Sequence, residues 1–364
     1  MSARVLVAMS GGVDSSVAAA MLCEQGYEVV GVAMRLTPEA AASSKPRRGT
    51  CCSYEDFEDA RRVAERMNFP FYVIDLRADF AARVVGNFVA EYLGGRTPNP
   101  CVMCNREIKF DRLWSRARAL EADFVATGHY AQIERDPSGR FHLRRASDSS
   151  KDQSYFLFTL GQNELARTLF PLGAMSKAEV RQRARALGLA NADKPESQEI
   201  CFVPDGDYAS FVERAAAPAE IRRGSVVTGD GHALATHGGV HHFTVGQRRG
   251  LGIATGTPMY VREIRAANGE IVVGSRDQLN SAGLVAEQVR MVDPARLESG
   301  EIALEVKIRY RHRALPAKLR MLPGERAEIR FEHGGPAVTP GQACVFYRGD
   351  EVLGGGFIER AVEG

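Results

Sequence analysis

Val5-Leu6-Val7-Ala8-Met9 runs directly into Ser10-Gly11-Gly12-Val13-Asp14-Ser15-Ser16, and Val17 to Leu22 continues with helical spacing. The apolar run predicts a buried strand, the glycine pair a tight turn, and the following pattern a helix. Such a turn points backbone N–H groups inward, and the helix N-terminus adds partial positive charge where a phosphate would sit. Ser10, Ser15 and Ser16 supply further donors. The stretch is not a Walker A loop, because G-x-x-x-x-G-K-[ST] requires a lysine that is missing here. A tight turn without a ligand needs neither the aspartate nor three hydroxyls beside the glycines, so the element predicts chemistry on a nucleotide.

Outward from this loop, short β-rich runs alternate with helical patterns to about residue 210. Val5 to Met9, Glu28 to Ala33, Phe71 to Asp75 and Phe124 to Thr127 read as strands, whereas Phe57 to Met67 and Asp79 to Leu93 have helical spacing. The alternation predicts an α/β fold with a doubly wound parallel sheet. Ligands of such sheets bind beyond the carboxyl ends of the strands, where Ser10 to Ser16 and Gly128-His129 fall. Ser176-Lys177-Ala178-Glu179 is a capping box for a helix to about Leu187, with Gly188 as its stop, and reads as structural. Glu39 to Thr50 is small, polar and basic and reads as a mobile loop. Near Ala215-Ala216-Ala217-Pro218-Ala219 the composition shifts, and glycine-punctuated β patterns replace helices. Three domains are expected: 1–210 with the loop, a small β-rich piece over 211–275, and a β-barrel over 276–364.

Composition sets the bounds. A chain of 364 residues, 45% hydrophobic and 25% charged, can bury a sizeable core. Its formal charge of +2 means that affinity for nucleic acid has to come from local patches. No run of roughly 18 apolar residues occurs, and the start lacks a basic segment before an apolar core, so a cytoplasmic protein without membrane contact is expected. Cysteines at 23, 51, 52, 101, 104, 201 and 344 are odd in number and dispersed, unlike a secreted disulfide scaffold. Functional thiols are the alternative.

The strongest candidates lie in Thr97-Pro98-Asn99-Pro100-Cys101-Val102-Met103-Cys104-Asn105. Two prolines predict that no helix includes this stretch, and Cys104 precedes a helical pattern from Glu107 to Leu120. A thiol near a helix N-terminus is favoured as the nucleophilic thiolate. Cys201 follows in Ser197-Gln198-Glu199-Ile200-Cys201-Phe202-Val203-Pro204. A sulfur-transfer or redox mechanism needs such a pair, one sulfur carried and one to resolve it by exchange. The residues leave other readings open. A structural zinc site would want a second C-x-x-C or a C-x-x-H, which is missing; Cys101, Cys104 and Cys201 could give three thiolates to a [4Fe-4S] cluster; or the thiols are ordinary buried ones, as Cys23 on its helix reads.

Seven motifs in order carry a resemblance: AMSGGVDSS (8–16), TPNPCVMCNREIKF (97–110), ATGHYAQI (126–133), KDQSYFL (151–157), SQEICFVP (197–204), FTVGQRRGLGIA (243–254) and KIRYRH (307–312). The first resembles the SGGxDS loop of ATP pyrophosphatases (PP-loop, adenine nucleotide hydrolase-like fold). Together they resemble the bacterial tRNA-specific 2-thiouridylases over nearly the whole chain. The resemblance implies ATP- and Mg2+-dependent thiolation at C2 of the wobble uridine in tRNAs for lysine, glutamate and glutamine, through an adenylate and a cysteine persulfide. It implies ATP contacts at Ala8, Met9, Ser10, Gly11, Gly12, Val13, Asp14, Ser15, Met34 and Gly128. Cys104 would be the catalytic nucleophile and Cys201 the persulfide carrier, ending as a Cys104–Cys201 disulfide, with a persulfide donor or relay protein as partner. For tRNA it implies Asn99, Pro100, Cys101, His129, Lys151, Asp152, Gln153, Arg309, Tyr310 and Gln342. Some family members carry aspartate where this chain has Cys101, which raises the weight of a cluster-dependent variant.

The last motif also has a reading of its own. Lys307, Arg309, Arg311 and Arg313 recur every second residue, so a strand from Val306 to Arg313 would present four cations on one face, suited to a phosphate backbone. A solvated outer face of a barrel strand has the same pattern. Two further functions stay in view: another AMP-forming ligase or amidotransferase using the same loop, and a tRNA-binding module that binds nucleotide without turnover.

Overall fold

The computed structural model describes residues 2–37, 54–195, 200–203, 205–296 and 300–363. Cys51, Cys52 and the loop expected at Glu39 to Thr50 lie outside the described residues. The chain divides into two compact units, one of Met1–Val84, Cys101–Gly206 and Asp350–Val352, the other of Val85–Pro100, Asp207–Gly349 and Leu353–Gly364.

The first unit is built on a parallel sheet of β1 (Arg4–Ala8), β2 (Glu28–Arg35), β3 (Phe71–Asp75), β4 (Phe124–Thr127) and the short β7 (Thr168–Leu169), in the order β3-β2-β1-β4-β7. β1 is buried on both faces, which is why it reads as an unbroken apolar run. Val5 and Val7 pack on Val17, Ala18 and Leu22 of helix α1 (Val13–Glu24), while Leu6 packs on Val30, Val32, Leu113 and Val125. Chain order reverses between β1 and β4, whose ends meet with Ala8 opposite Thr127. The crevice at such a reversal is where doubly wound sheets bind ligands. A hairpin of β5 (Ala131–Arg135) and β6 (Phe141–Arg145) follows β4.

The expected strands and helices are present, with three corrections. The helix expected over Asp79 to Leu93 begins as α3 (Arg77–Phe80), widens to π-type geometry at Ala81–Val85 and resumes at Gly86–Leu93. The second concerns the prolines, which do not keep 100–104 out of a helix. Pro100 instead starts one, because at the first helical position its missing N–H would have had no partner. Pro100–Met103, a π-type segment Cys104–Phe110 and Asp111–Ala119 run on continuously. Cys101 therefore sits in the first turn, and Cys104 one turn further in. The third concerns the strand of alternating cations.

In the second unit β8 (Gly224–Thr228), β9 (Ala233–His237), β10 (Tyr260–Arg265) and β11 (Glu270–Gly274) form one sheet in the order β10-β11-β8-β9. A six-stranded barrel follows: β12 (Ser281–Met291), β13 (Glu301–Lys307), β14 (Leu315–Leu322), β15 (Arg326–Gly335), β16 (Ala343–Arg348) and β17 (Glu351–Val362), in the order β12-β15-β14-β13-β16-β17. Pairing of β12 with β17 closes it, which removes exposed strand edges. β13 stops at Lys307, so the expected strand of four alternating cations does not form. Arg309, Arg311 and Arg313 lie in the bend before β14, closed by a bond from the His312 N–H to the Arg309 carbonyl (3.1 Å). Among the described residues no helix is long and apolar enough to cross a membrane.

Leu319 is fully buried among Ile302, Leu304, Ile329 and Phe346 in the barrel core. Leu319→Ala should destabilise the barrel by about 2–5 kcal/mol, read as a lower midpoint in urea denaturation followed by far-ultraviolet circular dichroism.

Candidate active site

The loop after β1 is held from behind. Gly11 has φ +71°, a left-handed conformation, and a Cβ there would stand 2.2 Å from the Asp56 carbonyl oxygen of helix α2 (Tyr54–Arg66). Only glycine fits. The Gly11 carbonyl accepts from Asn191 Nδ2 (3.0 Å) and Lys194 Nζ (3.3 Å), and Lys194 is itself paired with Asp56 and Asp59 at 2.6 Å each. Because a trans peptide points C=O and N–H in opposite directions, anchoring that carbonyl turns the Gly12 N–H away from Asn191 and Lys194. Ser15 Oγ accepts the Ser10 N–H (3.2 Å), and the Ser15 and Ser16 hydroxyls donate to the Gly12 carbonyl at 3.1 and 3.0 Å. The first-turn N–H groups of α1 have no partner within the helix, as at any helix N-terminus.

Asp14 projects from that first turn. Its carboxylate accepts the Tyr130 hydroxyl (2.7 Å) and pairs with Lys177 Nζ at 2.7 and 2.8 Å. Lys177 is the first residue of the helix Lys177–Ala186, and only 9% of it is exposed. The capping box is present, with Ser176 and Glu179 bonded reciprocally, but it also delivers a cation to a loop that has none of its own. Sequence reasoning missed Lys177, Tyr130, Asn191 and Lys194. The only available signal was the capping box, which fixes where Lys177 starts its helix but not what it faces.

Gly128, at the end of β4, abuts the same loop: a Cβ on it would lie 2.7 Å from the Ser15 nitrogen. Its lack of a side chain makes room for the chain's own loop. His129 is buried, with Nδ1 2.6 Å from Thr127 Oγ1, and desolvation followed by the nearby Lys109 charge holds it well below the usual imidazole range. The imidazole is therefore neutral at pH 7. Its ring lies against Phe110 at 6.3 Å between centroids, which joins the loop corner to the helix that carries Cys101 and Cys104. That helix packs on α3, with Glu107 bonded to Arg83 (2.8 Å) and Arg112 to Asp79 (2.6 Å). Phe80 of α3 stacks edge-on against Phe202, the neighbour of Cys201, at 5.6 Å. Loop, Gly128, His129, the Cys104 helix and the Cys201 segment thus form one continuous set of contacts within the first unit.

Cys101 is exposed, Cys104 buried and Cys201 half-buried. Among the described residues these three thiols do not form a group whose ligand atoms lie within 4.8 Å of one another, as a single-ion site requires. Cys23 is half-buried against the α1 core and Cys344 fully buried. Burial pushes both thiols up, the latter to about 12, so they are inert.

The remaining candidates divide between the units. Ala8 and Met9 end β1, and the Met9 N–H donates to the Val32 carbonyl (2.8 Å). Val13 opens α1, and Met34, half-buried, lies near the carboxyl end of β2 opposite Ile74. Asp152 is buried and accepts from the N–H groups of Ala146 and Ser154 and from the Ser154 hydroxyl. Gln153 Oε1 accepts the Tyr130 N–H (2.9 Å), and Lys151 beside them is half-buried. In the second unit Gln342 donates to the carbonyls of Thr97 (2.9 Å) and Pro98 (3.2 Å), bracing the segment that holds Asn99 and Pro100. Arg309 bonds Thr339 Oγ1 (2.7 Å) and the Ala337 carbonyl (3.2 Å), and Lys307 lies over the Tyr310 ring. Arg311 and Arg313 are the exposed cations of that bend.

Comparison with known proteins agrees with this layout. Family models match residues 3–205 (tRNA methyl transferase HUP domain), 210–275 (tRNA methyl transferase PRC-barrel domain) and 281–358 (aminomethyltransferase beta-barrel domain). The tRNA-specific 2-thiouridylase MnmA of Geotalea uraniireducens is 52% identical over 363 residues, 99% of this chain and 96% of that one. The chain belongs to the MnmA family. The MnmA proteins of Geobacter metallireducens (51% identity, 99% of this chain, 97% of that one) and Solibacter usitatus (51%, 98% and 99%) are similarly close.

Two substitutions test this MnmA-family loop. Lys177→Met strands the Asp14 carboxylate and should cost about 1–3 kcal/mol, while the pair Asp14→Asn with Lys177→Met should recover most of it. Thermal unfolding of the full chain measures both.

Proposed function

We propose that the chain is a tRNA-uridine 2-sulfurtransferase that consumes ATP in the cytoplasm. The observation that carries this reading is the continuity of the phosphate cradle with the Cys104 helix and the Cys201 segment, in a chain 52% identical over nearly its full length to a named 2-thiouridylase. The methyltransferase names of the matched domain models fit less well, since methyl transfer needs neither a nucleotide-cleaving loop nor a thiol pair.

A uracil C2 carbonyl is a weak electrophile. Its oxygen attacks the α-phosphorus of ATP and pyrophosphate leaves, so that oxygen becomes part of a good leaving group, AMP. The backbone donors from Ser10 to Ser15 meet the β- and γ-phosphates, and Lys177 offsets the Asp14 charge beside them. Met34 and Gly128 line the nucleotide. Mg2+ would supply charge stabilisation for the departing pyrophosphate, and Asp14, paired with Lys177 and bonded to the Tyr130 hydroxyl, would support that ion or the loop itself. The outer sulfur of a Cys201 persulfide, loaded by a persulfide donor protein, attacks C2 and AMP departs. The Cys104 thiolate then attacks the Cys201 sulfur, forming a Cys104–Cys201 disulfide and leaving the thiocarbonyl on the base. Neutral, buried His129 and the Asn99-Pro100-Cys101 corner flank the base. Lys151 to Gln153 and the bend at Arg309-Tyr310, with its exposed Arg311 and Arg313, meet the RNA, and Gln342 positions the Asn99 segment.

Hypomodified tRNA incubated with the protein, ATP, Mg2+ and a persulfide source should gain one sulfur, seen by mass analysis of its nucleosides, with one AMP and one pyrophosphate per event. Cys104→Ser and Cys201→Ser should each abolish thiolation and leave ATP binding intact; activity surviving either change would contradict these roles. AMP release only with ammonia or an amino acid would indicate a ligase, and RNA binding without ATP turnover a binding module. A cluster on Cys101, Cys104 and Cys201 is the competing sulfur chemistry, and stoichiometric thiolation by iron-free protein would exclude it.

A further inference from the structure

One cluster of ligand-type side chains converges on residues that the loop and its thiols do not include. Glu213 lies on the helix Tyr208–Ala215, and His241 and His242 lie on the short turn Val240–His242, all within the second unit. Glu213 Oε1 is 3.3 Å from His241 Nε2 and 3.1 Å from His242 Nε2. One ligand atom from each residue falls within 4.8 Å of the other two. A tetrahedral ion with bonds of about 2.0–2.1 Å has ligand-to-ligand edges of about 3.3–3.4 Å, so one edge of a coordination shell already stands at its bonded length and a second is about 0.2 Å short of it.

The site is preorganised on one side and open on the other. His241 is fully buried, its Nδ1 meets no hydrogen-bond partner, and its ring fills the space a Cβ on Gly239 would take, 2.2 Å from Cε1. That packing fixes the ring with Nε2 toward Glu213. The side chains of Glu213 and His242 are 43% and 37% exposed, which gives an ion a path in and a water room to complete the shell.

We propose that Glu213, His241 and His242 form a binding site for a divalent zinc-class cation, with water as fourth ligand. Two imidazoles and one carboxylate suit zinc and its borderline neighbours, whereas Mg2+ and Ca2+ prefer all-oxygen shells. The ion would tie the Tyr208–Ala215 helix to the turn beside Val240 and Phe243, which belong to the core under the β8–β11 sheet. Residues 210–275 are few for an apolar core, and small cores gain most from a metal staple. None of this depends on the thiolation reading.

The test uses the full chain, stripped with chelator under reductant and titrated anaerobically with Co2+. One equivalent should bind with visible d–d bands and no near-ultraviolet thiolate charge-transfer band, should be displaced by Zn2+, and should persist in the Cys104→Ser/Cys201→Ser protein. Glu213→Gln, nearly isosteric, should weaken binding by at least about 10-fold, a lower bound taken from outer-shell changes, and His242→Ala should lose it. Metal-free thermal unfolding checks that each variant folds, and if His242→Ala does not, Glu213→Gln alone decides. Absence of stoichiometric binding, binding unchanged by the decisive variant, or a thiolate-dominated spectrum would overturn the site.

Discussion

The constraint on which the first unit depends is the fixed attitude of one peptide, between Gly11 and Gly12. A left-handed residue is packed so close to the Asp56 backbone that no side chain can stand there. The carbonyl is drawn backward by Asn191 and by a lysine that is itself held by two carboxylates. Residues from two remote stretches of the chain, 56–59 and 191–194, therefore set the direction of a single N–H. A loop held only by its own serines would trade that direction for local hydrogen bonds, since hydroxyls offer the backbone alternatives. Packing from outside the loop removes the choice.

Charge follows the same logic. An oligophosphate site needs positive potential, and the loop contains none apart from backbone dipoles. The loop's own Asp14 would work against those dipoles, and the fold offsets it from the head of another helix, where Lys177 pairs with Asp14 and that carboxylate also takes the Tyr130 hydroxyl. The pair is nearly neutral, which lets the lysine stay nine-tenths buried. The same hydrogen bonds run on from Tyr130 through the Gln153 side chain, and Asn105 of the Cys104 helix donates to the Phe156 carbonyl at 3.0 Å. Nucleotide loop, thiol helix and the Lys151–Gln153 segment are thereby parts of one polar framework, and a shift in any of them is felt by the others.

The sequence made some of this legible and hid the rest for definite reasons. The parallel sheet could be read because a strand buried on both faces leaves an unbroken apolar run, as in Val5 to Ala8, and because the glycine pair marks a backbone need that no tertiary context changes. The barrel could be read as a class from short alternating strands. Lys177, Asn191 and Lys194 could not, because each acts across more than 160 residues on a group in the loop, and nothing local distinguishes them from surface polar residues. Pro100 misled because the penalty for proline belongs to helix interiors and disappears at the first position. The alternating cations misled because a period of two needs a partner strand to make it a strand, and pairing of β13 with β14 ends at Val306–Leu315.

The segment Val85–Pro100 shows a further limit of reading along the chain. By position it belongs with the parallel sheet, yet its apolar face packs with the second unit, where Phe88 meets Phe211 and Tyr92 stacks on Tyr208 at 4.6 Å. Arg96 is bonded to Glu91 and Glu287, and the Thr97 N–H to the Pro340 carbonyl. Burial of these aromatics outweighs chain proximity, since each large ring removed from water is worth a few kcal/mol. Pro100 ends this anchored segment and begins the helix of Cys101 and Cys104. The chain thus changes units at Pro100, whose fixed φ suits the first position of a helix, so the thiol-bearing element starts where the anchored segment stops.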